Sequence, residues 1–233
     1  MASRPVFVPR QTGDLLVRTE YVEFKWFPGM AVTQKQKSIA ALHEAAIGMR
    51  LCDRPLEISS KAENPLGVKL SAFNLKGATR KKEQMYTVET LFQSSKVFER
   101  GGPFRDLLGG TSREAKKDPR IRESGRLVGF NLYGEEWPLE PKTAFYDWIY
   151  INTLAKNEHL AEELCSYDAF TDIEFNPQKS INCQAYSVAL FRALSMRSLI
   201  GDVLDDREAY FDIIGGRPVS NAVEDTEQQR RLL

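Results

Sequence analysis

The sequence predicts an α+β fold: a mainly helical single domain with a few short strands. Three observations carry this. Apolar residues recurring every three to four positions, the helical period, cover the longest patterned stretches. The β-branched and aromatic runs that read as strands are short and far apart. Strand and helix do not alternate regularly, and no glycine-rich phosphate loop of Walker or Rossmann type occurs, so a doubly wound parallel sheet is not expected.

Taken in order, residues 21–27, YVEFKWF, read as a strand that Pro28-Gly29 stops. Thr33 is placed to cap a helix running to about Arg50, with Ile39, Leu42, Ala46 and Met49 on its apolar face. PLEISS (55–60) and VKLSAFNL (68–75) read as short strands, with KAENPLG a loop between them. A basic loop, KGATRKKEQ (76–84), precedes a helix capped by Thr87 and ended by Gly101-Gly102-Pro103. Ser112 is a plausible cap for a further short helix, and residues 127–133 read as a strand. A long helix from about Lys142 to Lys156 follows, rich in large residues, then a shorter one at 158–166. DIEF (172–175) reads as a strand, and Asn182 to about Met196 as the last strong helix. The end of the chain, AVEDTEQQRRLL, is expected to be partly disordered.

Composition narrows the function classes. With 42% hydrophobic and 27% charged residues, the chain has the balance of a folded globular protein. No apolar run approaches the ~20 residues of a membrane span, and the N-terminal stretch has no apolar signal region. Three cysteines without a CxxC fit a reduced, cytoplasmic protein. His43 and His159 lack ligand spacing with any cysteine, so no metal site is expected. Zero net charge argues against a generic nucleic-acid coat protein. The charge is uneven, however. Residues 113–126 carry six bases and three acids, while residues 202–233 carry eight acids and four arginines.

The stretch TVETLFQSSKVF (87–98) raises the functional question. Glu89, Gln93 and Lys96 are spaced four and three apart, which stacks them on one helical face. The spacing alone serves the wet side of a surface helix as well as an active site.

Three segments in order resemble the NADAR (YbiA-like) family. LGVKLSAFNL is similar to the family's GxLSNF segment, YTVETLFQSSKVF to its Glu- and Lys-bearing QAxKF helix, and TSREAKKDPR to its PxEAxxxGR segment. Trp137 with FYDWIYINTLAKN, then EHLAEEL, DIEF and NCQAYSVALF, extend the likeness to about residue 196. WFPGMAVTQKQKSIAALHEAA, LEISSKAENPLGVKLSAFNL and GEEWPLEPKTAFYDWIYINTL resemble more closely a branch encoded beside DNA ADP-ribosyltransferase toxins. Two departures stand out. Ala72 replaces the Asn of LSNF, and FNPQKS occupies the place of the family's DxxWG stretch.

The resemblance implies an antitoxin enzyme that hydrolyses ADP-ribose from guanine bases of DNA, with a DNA ADP-ribosyltransferase toxin as functional partner. It implies a YbiA-like catalytic domain at 57–200, an N-terminal strand–helix extension at 1–56 and an acidic tail at 201–233. Cleaving an N-glycosidic bond develops positive charge at the ribose C1′, and needs a base for water and a proton for the departing nitrogen. Glu89 matches the family's glutamate and is the candidate base or charge stabiliser. Lys96 matches its lysine, as an electrostatic contact or as an amine that captures C1′ as a Schiff base. Gln93 would orient a hydroxyl or the base edge. Ser59, Ser60 and Lys61 are candidates for the pyrophosphate, and Arg113 and Lys117, with Lys116 and Arg120, for the pyrophosphate or DNA phosphates. Phe73 and Trp148 could stack on a base. Asp147 and Glu174 are second-carboxylate candidates, and Asn182 a substrate contact or only a helix cap. No cofactor is called for. The rival readings are an N-glycosidase acting on ribosylamino-pyrimidine intermediates of riboflavin synthesis, and a non-catalytic module that binds ADP-ribose or the toxin.

Overall fold

In the computed structural model, residues 1–79, 84–178, 180–204 and 206–215 are described. The chain opens with an antiparallel pair, β1 (Ala2–Pro9) and β2 (Val17–Phe24), registered Ala2 against Phe24 and Pro9 against Val17. The sequence pattern finds only the second half of β2 and misses β1, because Pro5 and Pro9 lower its strand character. The prolines are tolerated because β1 meets its other neighbour, β9 (Ala169–Thr171), around a single pair, Phe7 opposite Phe170. β9 runs parallel to β3 (Pro55–Glu57), giving a four-stranded sheet ordered β2-β1-β9-β3. β3 is the short form of the strand expected at 55–60. β9 ends before the strand expected at 172–175, leaving Asp172 and Ile173 in the turn that follows.

Helix α1 (Val32–Gly48) covers this sheet with Ile39, Leu42 and Ala46, packed on Val6, Val22, Phe24 and Ile173. Two expectations fail here. Thr33 is not the cap, since Ala31 holds that position without a side-chain bond, and Met49 is 54% exposed.

The strand expected at 68–75 is absent. In its place stands α2 (Pro65–Leu70), where Asn64 accepts a capping bond from the Leu66 N–H at 2.9 Å and Pro65 fills the first helical position. Asn-Pro is a helix-start signal, and it outweighs the strand-like side chains that follow. Gly67 lets α2 approach β3, since a Cβ there would lie 1.9 Å from the Glu57 carbonyl oxygen. A hairpin of β4 (Lys76–Ala78) and β5 (Met85–Thr87) then leads into α3 (Val88–Ser95). Residues 80–83 of the expected basic loop lie outside the described residues.

Thr87 caps α3 as expected, accepting from the Thr90 N–H at 3.1 Å. The helix ends at Ser95 and not at Gly101. Lys96 is extended, and it opens β6 (Lys96–Phe98), which pairs with β7 (Leu127–Leu132); β7 in turn pairs with β8 (Glu135–Trp137). Sheet pairing has overridden helical spacing over these three residues. Gly102 closes the following turn at φ +90°, where a Cβ would fall 2.3 Å from the Lys96 carbonyl oxygen.

A 3-10 turn (Arg105–Gly109) precedes α4 (Ser112–Lys117) and α5 (Arg120–Glu123). Thr111, not Ser112, caps α4, in a capping box closed by Glu114. The centre of the molecule is α6 (Ala144–Ala155), buried on every side from Ala144 to Leu154. It is followed by α7 (Glu158–Leu164), β9, α8 (Gln184–Met196), α9 (Ile200–Val203) and α10 (Arg207–Gly215). α8 starts after Cys183, so Asn182 is not its cap. The α+β expectation is met: one apolar core joins Phe7 through α3, α6 and α8 to Ile214. Residues 222–233, expected to be partly disordered, lie outside the described residues.

Candidate functional site

The polar stripe of α3 is not a wet face. Glu89 is 5% exposed and Gln93 6%. The helix packs against the 3-10 turn, α4 and α6, and these side chains are drawn out of water with it.

A chain of hydrogen bonds fixes Glu89. Its backbone N–H donates to the Ala72 carbonyl at 2.9 Å. The Ala72 N–H donates to Gln184 Oε1 at 2.8 Å, and Gln184 Nε2 donates to Asp172 Oδ2 at 2.9 Å. The turn after α2, the start of α3, the start of α8 and the end of β9 are thereby tied together. Ser112 adds a second tie. Its hydroxyl donates to the Phe73 carbonyl at 2.9 Å and lies 2.7 Å from Thr87 Oγ1.

Gln93 Nε2 donates to Glu89 Oε1 at 2.9 Å. This sets the amide, because the reversed orientation would bring its carbonyl against a carboxylate. Gln93 Oε1 is buried and has no hydrogen-bond partner among the described residues. Lys96 is half-buried, with Nζ 4.6 Å from the centre of the Phe92 ring. Burial lowers its pKa to about 8, against the pull of the Glu89 charge and with a smaller push from Lys116. Lys116 Nζ in turn lies 5.1 Å from the centre of the Phe73 ring. Tyr146 closes the inner side, edge-on to Phe92 at 5.1 Å. Its phenol is held well above the usual range by burial, with the Glu89 and Asp172 charges adding to it.

Phe73, Glu89, Gln93 and Lys96 are thus brought to one place, with Lys116 at its edge. Among the described residues, no hydrogen bond or ion pair joins the other candidates to this group, and several have partners of their own. Ser59 is buried and accepts from the Lys61 N–H at 3.2 Å, Ser60 is exposed and Lys61 half-buried. Arg113 and Lys117 are exposed on α4, whose first turn is already occupied by the Thr111–Glu114 capping box. Arg120 is held by Asp106, at 2.6 Å, and by Asp118, at 2.9 Å. Trp148 is a core residue against Trp137 and Tyr210, and Asp147 accepts from Thr143 Oγ1 at 2.7 Å and Ser187 Oγ at 2.5 Å. Burial raises the Asp147 carboxyl to about 7. Glu174 is exposed and pairs with Lys35 at 3.0 Å. Asn182 is half-buried, its carbonyl accepting from the Ser180 hydroxyl at 3.3 Å.

Sequence reasoning missed Tyr146, Asp172 and Gln184. Asp172 is buried beside Glu57; desolvation raises both carboxyls, with the Glu57 charge adding to it at Asp172 and the Glu174 charge at Glu57. Glu57 accepts from the Ile173 N–H at 2.8 Å and from the Thr171 hydroxyl at 2.7 Å, and His43 Nε2 lies 2.9 Å from that same hydroxyl. Burial holds His43 near 4, so its ring is neutral at pH 7. No group of three or more His, Cys, Asp or Glu suited to a metal occurs among the described residues. Among them, too, no helix is long and apolar enough to cross a membrane.

The family model described as the DarT1-associated NADAR antitoxin matches residues 2–224, nearly the whole chain. No curated protein matches it.

Proposed function

The chain belongs to the DarT1-associated NADAR antitoxin family, and from that premise we propose that it is an ADP-ribosyl glycohydrolase. Its substrate is ADP-ribose attached to guanine in DNA, its functional partner a DNA ADP-ribosyltransferase toxin of the DarT kind, and its place of action the cytoplasm. The observation that carries this reading is a buried carboxylate, Glu89, oriented by Gln93 beside a half-buried lysine of lowered pKa.

The parts suit the reaction. A carboxylate removed from water interacts strongly with positive charge developing at C1′, and it can take a proton from attacking water. Lys96 has two roles open to it. As an ammonium it contacts the ribose or a phosphate. As a free amine it adds to C1′ of the ring-opened imine, the bond from C1′ to the guanine nitrogen breaks as that nitrogen takes a proton, and water hydrolyses the resulting lysine Schiff base. A pKa near 8 keeps both forms populated around neutral pH. Phe73 under Lys116 forms an aromatic and cationic edge suited to a base and a phosphate. Arg113 and Lys117, exposed nearby on α4, supply further charge for DNA, and Ser59, Ser60 and Lys61 are the pyrophosphate candidates.

The test is turnover. Substoichiometric protein is mixed with a guanine-ADP-ribosylated oligonucleotide and released ADP-ribose is followed. Many equivalents released per protein are expected. Protection of DNA only at one-to-one stoichiometry with the toxin would favour a binding antitoxin. Activity on a free ribosylamino-pyrimidine nucleotide with none on DNA would favour the small-molecule enzyme.

A further inference from the structure

Gln93 carries the feature that the hydrogen bonding leaves open. Its amide nitrogen is committed to Glu89, which fixes the carbonyl on the other side. That carbonyl oxygen is buried and unpartnered among the described residues, in a side chain only 6% exposed. Burying an acceptor without a donor is costly, so such an atom points to a ligand that supplies the missing donor. It lies one helical turn from the carboxylate assigned to C1′.

We infer that Gln93 Oε1 accepts a hydrogen bond from the 2′-hydroxyl of the ribose being cleaved, and so makes the enzyme specific for a ribosyl, not a 2′-deoxyribosyl, group. The inference rests on the glycohydrolase reading above. Two donors of the substrate flank C1′: the 2′-hydroxyl on the neighbouring carbon and the N–H of the glycosylated guanine nitrogen. The departing nitrogen must gain a proton, and an acceptor placed on its N–H does nothing to supply one. An acceptor on the 2′-hydroxyl instead raises electron density at O2′ as C1′ becomes positive, so the bond strengthens in the transition state. Glu89 is accordingly shared between two tasks: one oxygen holds the Gln93 amide, while the other stays available to water or C1′.

The experiment uses guanine-modified oligonucleotides carrying ADP-ribose or its 2′-deoxy or 3′-deoxy analogue in the attached ribose. Wild type and Gln93→Met are compared on each. With wild type, the 2′-deoxy substrate is expected to be cleaved at least ~10-fold more slowly than the parent, with the 3′-deoxy substrate near the parent rate. The direction is telling, because 2′-deoxy glycosides are intrinsically the more labile. Gln93→Met also frees Glu89 and is expected to slow both substrates, but to slow the parent ~10-fold more than the 2′-deoxy analogue, because only the parent loses the bond to the 2′-hydroxyl as well. An equal loss on both substrates would limit Gln93 to orienting Glu89 and overturn the inference alone. If Gln93→Met does not fold, the wild-type comparison decides, and equal rates on the 2′- and 3′-deoxy substrates overturn it. No release by wild type from the parent substrate overturns the glycohydrolase reading and this inference with it.

Discussion

At the residue scale, the proposed mechanism turns on whether Lys96 acts as a charge or as an amine. Its lowered pKa gives each role a signature. As a nucleophile it must lose its proton, so turnover should rise with pH through about 8 and then level. Borohydride added during turnover should then trap ADP-ribose on the protein, and Lys96→Arg should abolish the trapping. A purely electrostatic lysine gives activity that falls as pH passes through 8 and no trapped adduct. Asp147 provides an independent pH test of stability. Its carboxyl is raised from 3.8 to about 7, so the folded state favours the protonated form. The contribution of this group is full below 3.8 and is lost as pH rises from there to about 7. Asp147→Asn should therefore flatten the pH dependence of urea unfolding between pH 4 and 7, while the unchanged slope of the wild type would show the group titrating normally. The spacing of Glu89, Gln93 and Lys96 was legible in the sequence. Their burial was not, because the elements that pack on α3, α4 and α6 among them, come later in the chain.

At the element scale, the site depends on two turns. Thr87 caps α3 and also meets Ser112, so it fixes the helix that bears Glu89 and ties it to α4. Thr87→Ala should cost about 1–2 kcal/mol of stability, measured by urea denaturation; no loss would mean that the cap is dispensable. Gly102 packs against the Lys96 carbonyl at positive φ. Gly102→Ala should displace β6 and lower turnover more than it lowers affinity for the modified DNA, because it moves Lys96 and leaves Phe73 and Lys116 in place. Equal losses in both would point to general unfolding. Apolar patterning made α1, α3, α6, α7 and α8 readable, and the Thr87 cap fixed the start of α3 alone. α2 and the end of α3 were misread for opposite reasons. At 64–65 a strong local helix start was passed over in favour of strand-like side chains. At 96–98 a helical spacing gave way to pairing with β7, which local sequence does not encode.

At the scale of the whole molecule, the four-stranded sheet joins the N-terminal hairpin to strands from residues 55–57 and 169–171. Such long-range pairing sets where Asp172 and Gln184 meet the Ala72–Glu89 link, and no short window of sequence contains it. This is why the proposed site residues are read from their motif while the residues that hold them are not. Exposed Lys116 at the edge of the proposed site, with Arg113 and Lys117 on the same helix, gives a neutral protein a local basic edge, so turnover on DNA should fall with salt more steeply than on free nucleoside-linked ADP-ribose. The same salt response on both substrates would remove DNA contact from these residues. The most direct measurement compares wild type with Glu89→Gln on the guanine-ADP-ribosylated oligonucleotide, scoring turnover and binding together. The account expects Glu89→Gln to bind the oligonucleotide and to release ADP-ribose at least ~100-fold more slowly. Full turnover by Glu89→Gln would contradict it, and the buried stripe of α3 would then be structure and not an active site.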